Sequence, residues 1–162
     1  MNTFYQELIE RIRGEIADLE IVVERTERSW AQAQETADDQ DAYLDSVALN
    51  LHTFYTGLER LFELIARHID GSLPESKTWH HDLLLQMEDD LAGVRPAVIA
   101  HDTTISLDKF RRFRHLVRNV YTMNLNAKKM SGLMLALPRL WSGLRAELEA
   151  FADFLEELAQ AT

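Results

Sequence analysis

Seven apolar residues, Leu44, Val47, Leu51, Phe54, Leu58, Leu61 and Ile65, follow one another at alternating intervals of three and four. On an α-helix those intervals bring all seven to one face, whereas a strand would divide them between its two faces. A seam of this length commits the segment to a long helix that buries one side against an antiparallel neighbour.

The rest of the chain follows the same rule. Leu8, Ile12, Ile16, Leu19, Val23 and Trp30 mark the inner stripe of a first helix running from about Thr3 into the mid-thirties, and "ETADDQD" reads as its polar stop. The second helix ends at "DGSLPES", where Gly71 and Pro74 break it. A shorter helix, "WHHDLLLQMEDDL", precedes a loop, "AGVRPAVIAHDTT". A fourth helix is expected over 106–121, capped by "DTTISLD". The last, from about Ala127, carries a second seam through Leu137, Trp141, Leu144, Leu148, Phe151, Leu155 and Leu158. Pro138 lies within that seam and is expected to kink or divide the helix. With only three prolines, six glycines and no sustained strand-like alternation, the expected fold is all-α, an antiparallel bundle of about five helices. A length of 162 residues suits one domain over 1–162.

The absence of cysteine excludes disulfides and thiolate metal sites and suits a reducing cytoplasm. No window approaches the roughly 18 unbroken apolar residues of a membrane span. The N-terminal "MNTFYQELIERIRGEIADLE" reads as an amphipathic helix and not as a signal peptide. A soluble, cytoplasmic protein without membrane association is the expectation.

Charge is unevenly placed. The net charge is −10, yet residues 109–146 hold nine Lys or Arg and no Asp or Glu, so all 27 acids lie elsewhere. A basic segment on an acidic background can focus a polyanion onto one place while discouraging loose binding. Within it, Phe110, Phe113, Val117 and Val120 form the inner face on an ideal helix. Arg111, Arg114, His115 and Arg118 cluster on the other side, with Tyr121 at its edge. Arginine faces are commonly just solvated. Three arginines, a histidine, an amide and a phenol together nevertheless supply what RNA chemistry needs: forks for phosphate, a proton exchanger, and a ring that stacks on a base.

At these residues the chain resembles the HEPN superfamily, specifically HepT-like ribonuclease toxins of HEPN/MNT toxin–antitoxin systems. "FRRFRHLVRNVY" followed by "TMNL" carries the likeness, which extends upstream to "WHHDLLLQM" and "RPAVI" and covers most of residues 79–125. The resemblance implies a HEPN-type bundle, a homodimer with two motif helices facing each other across a cleft, and metal-independent endoribonuclease activity. It also implies a partner, a minimal nucleotidyltransferase (MNT) antitoxin that adds adenylate to the motif tyrosine. Members carry an Arg, four to six residues, then His, often continued as His-x-Tyr. Arg114 and Tyr121 match that pattern, making Tyr121 the AMPylation site, while Asn119 stands where the histidine is expected.

The catalytic set expected from these residues is Arg114, His115, Asn119 and Tyr121, with Arg111, Arg114 and Arg118 on RNA phosphate. His115 is the candidate proton carrier, and Asn119 orients the scissile nucleotide. His80 and His81 border the site. Adjacent on a helix, those two histidines point about 100° apart and make poor joint metal ligands, so no metal and no cofactor is expected. The alternative is a weak or inactive HEPN-type module that binds RNA or a nucleotide without cutting it, or a helical adaptor, because asparagine cannot shuttle a proton.

Overall fold

The computed structural model describes residues 2–119 and 127–162, with the backbone alone for Arg118 and Asn119. The described residues form five α-helices: α1 (Thr3–Glu35), α2 (Gln40–Ile65), α3 (Trp79–Glu88), α4 (His101–Asn119) and α5 (Ala127–Ala161). No helix is long and apolar enough to cross a membrane among the described residues.

The amide of Phe4 donates to the Asn2 side chain at 3.1 Å, capping α1. Its stripe of Leu8, Ile12, Ile16, Leu19 and Val23 is buried, as the spacing predicts, and Trp30 is partly buried at its end. Helix α2 continues into a π-helical turn, Ala66–Asp70, and stops at Gly71, whose φ of 75° is left-handed and suits a residue without Cβ.

α2 is the central element, packing against α1, α3 and α4, while α5 packs against α1 and α4. It therefore buries more than the expected seam. Ala48, Tyr55, Glu59 and Phe62 are covered along with Leu51, Phe54, Leu58 and Leu61. Phe54 meets the rings of Phe110 in α4 and Trp141 in α5 edge-on, at 5.9 Å each, which ties three helices at one level.

Two boundaries differ from expectation. α4 begins at His101 and not near Ser106, so "DTTISLD" lies inside the helix. Its cap comes from far along the chain, because Glu147 of α5 accepts hydrogen bonds from the Ala100 amide and the Thr103 hydroxyl. A cap contributed by another helix leaves no local signal. α5 runs undivided through Pro138, with Leu137, Leu140 and Trp141 buried around it. Packing on both sides of the proline outweighs the lost amide donor. The α5 seam also turns slightly at its end, where Ala159 is buried and Leu158 only half-buried.

The connection between α3 and α4 is held by one arginine. Arg95 Nε and NH2 donate to Asp70 at 2.6 and 2.8 Å, NH1 donates to the carbonyls of Asp89 and Pro96, and NH2 also donates to that of Gln86. All five guanidinium donors are thereby satisfied. With Arg95 only 3% exposed, this is a structural clamp on the stretch that resembled the family motif through "RPAVI".

Candidate functional site

Arg114 does not lie on the outer face of α4. It is 5% exposed and turned toward α2, one helical turn after the buried Phe110 and beside the buried Phe113. Its NH1 and NH2 donate to Glu59 Oε1 and Oε2 at 3.0 and 3.1 Å, a bidentate fork, and its guanidinium carbon lies 4.9 Å above the centre of the Tyr55 ring. The sequence wheel put Arg114 with the solvated arginines because it considered α4 in isolation. A buried carboxylate opposite, with an aromatic face beneath, makes the interior acceptable to this cation.

Glu59 receives a third partner. His80, near the start of α3, places Nδ1 2.7 Å from Glu59 Oε2 and 3.0 Å from Arg114 NH2. Trp79 stacks on the His80 ring with centroids 3.6 Å apart. Residues from α2, α3 and α4 thus converge on one carboxylate. Beneath them, burial first and the Glu59 carboxylate second push the Tyr55 phenol well above its ordinary ionisation range, against the opposing pull of Arg114. Tyr55 stays a neutral phenol through the physiological range.

The neighbouring basic residues have partners of their own. Arg111 Nε donates to Asp108 Oδ1 at 2.7 Å, and Arg112 NH2 pairs with Asp108 Oδ2 at 2.9 Å. Asp108 stands immediately before the acid-free segment and offsets part of its charge. Arg111 is half-buried, Arg112 is largely in solvent, and His115 is exposed. His81 is half-buried. The side chains of Arg118 and Asn119 lie outside the described residues, as does Tyr121 together with "TMNL". Among the described residues, no three His, Cys, Asp or Glu side chains gather into a metal-ligand set.

The structure therefore joins Arg114 to His80, which the sequence placed at the rim, and to Glu59 and Tyr55, which it did not single out for the site. A signal existed. Tyr55, Glu59 and Phe62 are spaced by four and three on a second flank of α2, so an acid sits between two aromatics on a face that a central helix must bury. Such an acid requires a cationic partner.

A family model described as HepT-like protein matches residues 46–155, a span that contains Glu59, His80 and Arg114. The chain belongs to the HepT-like protein family. No curated protein and no solved structure matches it significantly. In this HepT-like protein the matched region begins in α2 and ends in α5, so the whole Glu59–His80–Arg114 cluster falls inside the family portion of the all-α HEPN-like bundle, while α1 precedes it.

Proposed function

We propose that this HepT-like protein is an endoribonuclease, the toxin of a HEPN/MNT toxin–antitoxin pair, which cleaves RNA by metal-independent attack of a 2′-hydroxyl on the neighbouring phosphate. The reading is carried by one observation: the motif arginine, Arg114, is built into a polar cluster with Glu59 and His80 within the family-matched region. Burial changes its part in the scheme. Arg114 acts as a fixed positive charge that ties the cluster to α4, and Arg111 and Arg118 are the groups that reach phosphate.

Asn119 orients the scissile nucleotide, and Tyr121 stacks on a base and accepts adenylate from the MNT partner. Adding that bulky anion would offset the arginines and block the cleft. In a cytoplasmic homodimer, two such helices would pool their cations on one RNA strand and make binding strongly salt-dependent.

A second reading is favoured by Asn119, which stands where the family pattern has a proton-carrying histidine. In it the protein holds RNA without cutting it. Incubating the purified protein with transfer RNA in a chelator separates the two. Fragments ending in 2′,3′-cyclic phosphate are expected, and RNA retained intact but bound would favour the binding module. Mass spectrometry after coexpression with a nucleotidyltransferase should find adenylate on Tyr121, and an unmodified tyrosine would count against the toxin–antitoxin role.

A further inference from the structure

We propose that His80 is the proton-transferring residue of this site and that Glu59 is the residue that positions it; the assignment rests on the ribonuclease reading above. Asn119 cannot take a proton, so the motif position lacks the group that its relatives' pattern supplies. A histidine from a different helix stands beside the motif arginine instead.

The hydrogen-bond geometry fixes which nitrogen of His80 is available. Glu59, held by both arms of the Arg114 fork, is a carboxylate and accepts only. The 2.7 Å contact therefore requires that His80 Nδ1–H donates to Glu59 Oε2. Arg114 NH2 donates to the same oxygen, so its 3.0 Å approach to Nδ1 brings together two donors that share one acceptor. In the neutral imidazole the proton is thus on Nδ1 and the lone pair on Nε2, across the ring from Glu59. The stacked indole of Trp79 holds the ring plane, and the His80 side chain is 29% exposed. A base oriented by a buried carboxylate, with a fixed cation adjoining, is an arrangement suited to phosphoryl chemistry.

The step balances without a metal. The 2′-hydroxyl proton passes to His80 Nε2 as the bond from the 2′-oxygen to phosphorus forms. The bond from phosphorus to the 5′-oxygen breaks, and that oxygen leaves with a proton from water. Nε2 then returns its proton to solvent, and the products are a 2′,3′-cyclic phosphate and a 5′-hydroxyl.

The test compares wild type, His80→Gln and His80→Ala on transfer RNA in a chelator, with thermal melting of each variant and nitrogen-15 NMR of the wild-type histidines. We expect His80→Gln to cleave at least about 100-fold more slowly. Imidazole should restore cleavage to His80→Ala, while pyrazole, similar in shape but a far weaker base, should not. NMR should find Nδ1 protonated and Nε2 bare in neutral His80. Full activity in His80→Gln, rescue by both heterocycles or by neither, or an Nε2–H tautomer would overturn the assignment while leaving the ribonuclease reading in place. No cleavage by wild-type protein would remove both. Should His80→Ala fail to fold, His80→Gln and the tautomer measurement decide the matter.

Discussion

Arg114 and Glu59, 55 residues apart in the chain, meet through two hydrogen bonds of 3.0 and 3.1 Å and are each about 7% exposed at the side chain. This pair joins the motif helix α4 to the central helix α2 and gives the cluster its anchor. Breaking it from one side strands a buried charge. Glu59→Ala should destabilise the fold by about 3–5 kcal/mol, measured by urea unfolding, whereas Glu59→Leu combined with Arg114→Met should recover most of that loss. Additive losses in the double variant would show that the two residues are not coupled.

Arg95 is predicted to matter to stability alone. Arg95→Ala leaves the buried Asp70 carboxylate with the Gln86 side-chain amide but no cation and removes one donor from each of three carbonyls, a change expected to cost about 3–5 kcal/mol. Hydrogen exchange should speed up in residues 89–100 before the long helices. Unchanged exchange there would contradict the clamp.

Pro138 offers a test with the opposite sign. It is exposed, and it interrupts the hydrogen-bond ladder of a helix that forms regardless. Pro138→Ala regains an intrahelical donor worth up to about 3 kcal/mol and gives back roughly 1 kcal/mol through the looser unfolded chain, so a net gain of about 2 kcal/mol is expected. A lower melting temperature in the alanine variant would mean that the proline packs in a way that helix propensity ignores.

Alkaline stability should report on Tyr55. Its folded-state ionisation lies above the ordinary value of 10.0, chiefly through burial, so its contribution is complete below that pH and is lost as pH rises toward the folded value. The melting temperature should therefore fall above pH 10, with tyrosinate absorbance from Tyr55 appearing only as the protein unfolds. Tyr55→Phe should flatten this decline. Early, fully reversible ionisation of Tyr55 in the folded protein would refute its burial.

Removing Glu147 should loosen the start of α4. Loss of its hydrogen bonds to Ala100 and Thr103 is expected to cost about 1 kcal/mol, as for other helix caps. Amide exchange over the first turn of α4 is the readout, and an unaltered rate would assign the cap elsewhere.

The apolar spacing of Leu44 to Ile65, the stripe of α1 and the seam of α5 determined by themselves that this chain is a helical bundle, because a period near 3.6 can be buried in only one way. Gly71 likewise marked where the second helix ends, since a left-handed φ favours glycine. Only the tertiary structure decided which partner each inward-turned polar residue meets. Arg114 and Glu59 are individually surface residue types, and nothing near either in sequence names the other. The start of α4 at His101 and the continuity of α5 through Pro138 were decided the same way, by Glu147 and by packing from neighbouring helices. A helix wheel records angles on one cylinder, whereas the burial of a charge depends on what a second cylinder places opposite it.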